Sequence, residues 1–308
     1  MSSPAQPSRS RSIDMLGAGF VGIGSLQFGA VVLMGRYASR SHLTVPAYLM
    51  WRFGFAAFLL AGAILVLRLP FQAAPGEGLK LIGLGAFGYA TEAFFFFAAL
   101  NHGTAATVTL LFYTYPAMVL LLSLASGRGL PGALLASALG ATMAGSALVV
   151  LSSGGIDISE AGILFALAAA LTFSFYLIGA DRVLRGTNSL VGAMFVSAAA
   201  SAGLIAFALI SGQGQLPAGW NQWGPILGAG AFTAGAFVCL FAGLRRLGAV
   251  RTSIIAASEP LNAAILAAIF LGETIRPVTG LGGILILGGA VTAALARVGV
   301  PPGEPPIP

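Results

Sequence analysis

The chain is divided into apolar blocks, each about 20 residues long, by short polar or Gly/Pro interruptions. A helix rising about 1.5 Å per residue needs a block of that length to cross the hydrocarbon core of a bilayer. Backbone polar groups there must also be paired within the segment, so such blocks read as transmembrane helices. They fall near residues 16–36, 45–67, 79–100, 104–125, 131–151, 160–181, 189–211, 224–244, 248–271 and 278–297. Runs such as Ala117 to Leu124 are apolar on every side, unlike the alternating strands of a membrane β-barrel. The expected fold is therefore an all-α membrane protein of about ten spans, with the lipid bilayer as its principal surroundings.

Composition agrees, since 57% hydrophobic against 8% charged residues leaves too little polar surface for a water-soluble domain. The net charge of +6 is spread between apolar runs rather than gathered in a patch, which argues against a nucleic-acid partner. A single cysteine, Cys239, excludes an intrachain disulfide and a cysteine-cluster metal site. His42 and His102 stand apart at span ends, and the expectation is no metal and no cofactor. Arg9 and Arg11 precede the first apolar stretch, but that stretch runs to Met34, too long for a signal peptide core.

Lys and Arg set the orientation. One side receives Arg9, Arg11, Arg68, Lys80, Arg128, Arg182, Arg185, Arg245, Arg246, Arg251 and Arg297. The other receives only Arg36, Arg40 and Arg276. This asymmetry predicts cytoplasmic termini in a bacterial inner membrane, with residues 1–14 and 299–308 as disordered tails.

The ten spans divide into two units of five. Phe97-Ala-Ala-Leu100 compares with Phe241-Ala-Gly-Leu244, Ala105 with Ala249, and Pro116 with Pro260, each pair 144 residues apart. Gly145 and Gly289 keep the same offset, as do Leu151 and Leu295. A unit with an odd number of spans reverses direction when repeated, so residues 15–152 and 160–298 are expected to form an inverted repeat. That architecture is common among alternating-access transporters.

With its two five-helix units, its proline-bearing fourth and ninth spans, and the segments Ser258-Glu259-Pro260 and Leu271-Gly-Glu273, the chain resembles the drug/metabolite transporter superfamily, specifically its ten-helix EamA-type members. The Tyr-rich third and fourth spans are similar to those of the YddG-like exporters of aromatic amino acids. The first repeat departs from the second, with Tyr115 at the place of Glu259 and Ser126-Gly-Arg128 at the place of Leu-Gly-Glu273. The resemblance implies export of amino acids, related metabolites or amphipathic drugs.

Arg52, Glu92 and Glu259 are the ionisable residues well inside the spans. Each costs roughly 2.5–3.5 kcal/mol at a helix centre if unpaired, so each should face the bundle interior. The matched depths of Arg52 and Glu92 predict a buried ion pair. A cavity near the midplane is expected to be lined by Tyr89, Glu92, Thr109, Tyr113, Thr172, Tyr176, Ser258, Glu259 and Asn262. Pro116 and Pro260 each remove a backbone donor and free the carbonyl four residues earlier, Phe112 and Ala256, so both helices should bend there as hinges. Small residues on span five (Ala136, Gly140, Ala144) and span ten (Gly282, Gly283, Gly288, Gly289) suit close packing, between the halves or between two copies.

No Gly-x-x-x-x-Gly-Lys-Ser/Thr sequence is present, so any transport is expected to be secondary. The three aspartates, Asp14, Asp157 and Asp181, lie near span ends, which disfavours an intramembrane enzyme. The expected function is export of a small-molecule substrate, most of all an aromatic or other amphipathic amino acid, with a channel as the competing class.

Overall fold

A computed structural model describes residues 7–127, 132–152, 157–184 and 186–296 of the chain, with side chains from residue 14 onward. Seven helices are continuous or nearly so: α1 (Pro7–Ser39), α2 (Val45–Val66), α3 (Gly78–Leu100), α4 (Ala105–Ala125), α5 (Ala133–Leu151), α6 (Glu160–Val183) and α7 (Ser189–Ile210). The next helical run, Trp220–Ala256, is broken at Gly248, whose φ of 75° and ψ of 169° suit glycine and few other residues. Residues 220–247 therefore form α8, and 249–256 together with Glu259–Leu271 form α9. Pro277–Leu295 closes the bundle as α10.

Helix α1 begins at Pro7, within the stretch 1–14 expected to be a disordered tail. Proline suits a first helical turn, and the apolar run from Met15 carries the helix backwards. Residues 1–6 and the 299–308 tail lie outside the described residues, as do Arg128, Arg185 and Arg297. Polar side chains cap several starts: Thr104 accepts from Thr107 N, Ser159 from Gly162 N and Asn188 from Leu190 N. The outside of the bundle is apolar. Phe58 and Leu164 are 70% exposed and Ile284 69%, a surface suited to acyl chains rather than water.

The two halves repeat in detail. Helices α2 and α7 both contain 22 residues and α5 and α10 both contain 19, and each pair starts 144 residues apart (45 and 189, 133 and 277). Packing runs mostly across the halves: α1 against α8 and α9, α2 against α7 and α8, α3 against α6 and α7, and α5 against α10. Glycine permits the tightest approach. A Cβ on Gly145 would lie 2.5 Å from the carbonyl oxygen of Gly282, and one on Gly289 would lie 2.7 Å from that of Ala138. Gly282 and Gly289 thus join the halves, Gly283 packs against Leu261 of α9 within its own half, and Ala136, Gly140, Ala144 and Gly288 face outward.

Helix α3 contains an unforeseen π-helical turn, Leu84–Tyr89. It lies where Gly85 is pressed onto α7, a Cβ there falling 2.4 Å from the Val196 carbonyl oxygen. Loops tie both ends of the bundle. At the end carrying the start of α1, Glu77 accepts from Gly186 N at 3.0 Å and from the Thr187 hydroxyl, while Arg245 donates to the Thr187 carbonyl at 3.0 Å. At the opposite end Thr104 N donates to Asp157 O and Ser159 N to His102 O, both at 2.9 Å.

Candidate translocation site

Six helices meet around a polar centre. From α2 come Tyr48, Arg52 and Phe53; from α3 Tyr89 and Glu92; from α4 Tyr113 and Tyr115; from α6 Phe173 and Tyr176; and from α9 Glu259. Helix α8 adds Phe237. The rings form a continuous wall. Tyr89 meets Phe53, Phe237 and Tyr176 edge to face at centroid separations of 5.0, 5.4 and 5.6 Å. On the other flank Tyr115 meets Phe173 at 4.9 Å, and Phe173 stacks on Tyr176 at 5.7 Å. Such pairs contribute about 0.5–1.5 kcal/mol each beyond their buried area.

Arg52 and Glu92 are both buried, at 8% and 7% exposure. The expected direct ion pair between them is nevertheless not formed. The guanidinium lies 4.3 Å from the Phe53 ring centroid, and its Nε has no hydrogen-bond partner. From there it acts electrostatically on Glu92 and Glu259 alike. It acts on the Tyr48 and Tyr89 side chains as well, so the cation is distributed over several neighbours rather than closed onto one carboxylate. Glu259 in turn faces the Tyr113 hydroxyl. Tyr89 and Glu259 lie deep within the bundle yet retain accessible surface, so they border internal space rather than solid packing.

Helices α4 and α9 are interrupted in the same way. The first breaks after Phe112 and resumes at Tyr115, and the second breaks after Ala256 and resumes at Glu259. Pro116 and Pro260 lie in the first turns of the resumed helices. The hydrogen bonds around the breaks correspond one to one: Tyr113 N to Thr109 O and Ala257 N to Ser253 O, then Thr114 N to Leu111 O and Ser258 N to Ile255 O. The Ala256 carbonyl freed by Pro260 accepts from Ser25 Oγ at 3.4 Å. Neighbouring carbonyls at the breaks are also bonded from other helices. Ser146 Oγ reaches Ala257 O at 3.1 Å and Ser174 Oγ reaches Tyr115 O at 3.2 Å. The Tyr115 hydroxyl donates across to Ser253 O at 3.3 Å, so the two interrupted helices are tied directly together.

Other expected lining residues are placed differently. Ser258 and Asn262 are engaged at the α1–α9 contact, where both bond to Ser25 Oγ, at 2.8 and 3.0 Å. The requirement to satisfy the interrupted backbone turns them toward α1. Thr172 bonds back to its own helix at Ala168 O, 2.8 Å away, and lines a groove on the outside of α3 and α6. Thr109, half-buried, stays on the α4 segment that leads to the break. Ser25, Ser146 and Ser174 carried no distinguishing sequence signal, because a serine in an apolar span bonds to its own helix as readily as to a neighbour.

Two ion pairs tie α1 to α9 and to the turn that follows it, one at each end. Arg251 donates to Asp14 at 3.1 Å, to Ala296 O at 3.2 Å and to Leu247 O at 3.1 Å. At the other end Arg36 pairs with Glu273, which accounts for the acidic residue of the Leu271-Gly-Glu273 segment.

Comparison with known proteins agrees with this architecture. A solved crystal structure shares the fold with a TM-score of 0.76 at 22% sequence identity, over 92% of this chain and 96% of that one. A search of the curated proteins gives no match. The EamA-like transporter family matches twice, over residues 15–151 and again over 160–295, one match to each five-helix half. The two matches take in nearly every helix described above, and the chain belongs to the EamA-like transporter family of membrane proteins that carry small metabolites.

Proposed function

We propose that this transporter exports amino acids with aromatic or otherwise apolar side chains, by alternating access around the centre formed by Arg52, Glu92 and Glu259. The observation that carries this reading is the combination of one guanidinium and two carboxylates inside an aromatic wall within the helical spans. An amino-acid zwitterion complements that set. Its carboxylate suits Arg52, its ammonium suits Glu92 and Glu259, and its side chain suits the faces of Tyr89, Tyr176 and Phe237. The similarity to YddG-like exporters supports the same substrate class. The excess of basic residues at the end where α1 begins supports cytoplasmic termini and a bacterial inner-membrane location.

In this mechanism the interruptions before Pro116 and Pro260 act as the hinges. Two half-helices on each side of the centre turn against the rest of the bundle, and the substrate is exposed to each face in turn. Proteoliposomes containing the purified chain test the proposal through counterflow of radiolabelled phenylalanine, leucine and aspartate, with and without a pH gradient. Saturable counterflow of phenylalanine and leucine over aspartate is expected. Equal uptake of all three, or flux without counterflow, would replace this reading with a non-selective carrier or a channel. The gradient arm separates proton antiport from facilitated exchange.

A further inference from the structure

A groove of about 380 Å³ runs along the outside of the bundle between α3 and α6. It arises from local backbone geometry. The π-helical turn Leu84–Tyr89 displaces α3, and glycine at 83 and 88 removes the side chains that would otherwise fill the space. A Cβ on Gly83 would meet nothing within 4 Å. The floor is Leu84 and Tyr176, and the walls include Phe175 and Val183. Lys80, the one lysine in the sequence, stands at the end of the groove on the side where α1 begins.

We infer that this groove binds an anionic phospholipid, with an acyl chain along Leu84 and Phe175 and the headgroup phosphate against Lys80. The flanking residues limit the alternatives. Ile82, Phe87, Leu171 and Phe175 are all exposed and apolar, so in the membrane this face meets hydrocarbon. A single turn of a helix about 10 Å across already exceeds the groove's volume of about 380 Å³, whereas a flexible acyl chain fits it. Lys80 lies within the first turn of α3, near the level of the headgroups, and its charge complements a phosphate there. Tyr176 forms both the floor of the groove and, through its contact with Tyr89, part of the aromatic wall of the centre. A lipid seated here therefore rests directly against the translocation site.

Native mass spectrometry of the full chain released from detergent tests this with two probes of matched acyl composition, phosphatidylglycerol and phosphatidylcholine. The intact chain should retain one phosphatidylglycerol with about fivefold preference over phosphatidylcholine, the effect expected of a single lysine near the headgroups. Lys80→Gln should abolish the preference while leaving some binding of either lipid. Gly83→Leu places a side chain in the groove and should remove the retained lipid altogether. Lys80 is exposed, so its variant keeps the test decisive if Gly83→Leu does not fold. Retention with unchanged preference in Lys80→Gln, or unchanged retention in folded Gly83→Leu, would overturn the assignment.

Discussion

Arg52 owes its importance to what it does not do. Because its guanidinium stacks over Phe53 and is shared between Glu92 and Glu259, removing either carboxylate leaves it one partner, whereas removing Arg52 leaves two acids with no cation. Glu92→Gln should therefore destabilise the protein by less than the roughly 3–5 kcal/mol that breaking a direct buried pair costs. Arg52→Gln should be the more damaging change and should abolish transport. Adding Glu92→Gln to it should recover part of the lost thermal stability, a non-additivity read from melting curves in one detergent. Equal losses for the two single variants, or strict additivity in the double variant, would contradict the shared arrangement. Arg52→Lys keeps the charge and loses the planar stacking, so it should not restore full activity.

In the proposed mechanism the interrupted helices turn a local chemical defect into a hinge. Pro260 cannot donate to Ala256 O, and Ser25 supplies the missing bond from α1 while also engaging Ser258 and Asn262. Ser25→Ala should cost about 1–3 kcal/mol, the range for a buried polar group left unpaired. Pro260→Ala restores a backbone donor and should slow transport more than it weakens substrate binding, since a straightened α9 no longer pivots. Combined with Ser25→Ala, the restored donor should bond Ala256 O and recover part of the stability. Transport at the wild-type rate by folded Pro116→Ala and Pro260→Ala would assign both prolines to packing alone. The α5–α10 contact gives a sharper contrast within a single helix. A Cβ at 289 would lie 2.1 Å from Thr142 Oγ1 and 2.7 Å from Ala138 O, while one at 288 meets nothing within 4 Å. Gly289→Ala should lower stability by about 1–3 kcal/mol through overpacking. Gly288→Ala should leave it within about 1 kcal/mol of wild type, with any change a gain from helix propensity. Thermal unfolding of the two variants side by side checks both.

The proposed alternating access requires the two ends of the bundle to open in turn, and both are fastened through α1 and the α9 segment. The Arg251–Asp14 pair is largely buried and reinforced by two carbonyls, whereas Arg36 and Glu273 are 45% and 51% exposed. Solvent weakens the exposed pair to below about 1 kcal/mol, so it can open without a large barrier. Breaking it by Glu273→Gln should leave stability nearly unchanged. Locking it should not be harmless. With Cys239→Ser as background, Arg36→Cys and Glu273→Cys joined by a short reducible thiol linker should arrest transport, and reduction should restore it. Full transport by the bridged protein would mean that α1 and α9 travel together and that opening occurs elsewhere.

Apolar block length fixed the span count, because hydrocarbon thickness and the need to pair every backbone group leave a polypeptide little choice. The 144-residue offset and the two prolines likewise exposed the repeat and the positions where helices would fail. Close range decided the rest. Equal depth placed Arg52 opposite Glu92, but depth is one coordinate, and the packed bundle also sets the cation beside the Phe53 ring and brings its charge to act on Glu259. Ser258 and Asn262 carry the polarity of lining residues, yet the interrupted α9 backbone claimed them through Ser25 on a helix 233 positions away in sequence from Ser258. The π turn of α3 accompanies the contact of Gly85 with α7, and the groove opens beside Gly83 and Gly88, arrangements that no periodicity within one span encodes. Hydrophobicity acts along the chain and is legible there, whereas hydrogen bonds and charges depend on separations of a few ångströms between distant segments, which exist only once the helices have packed.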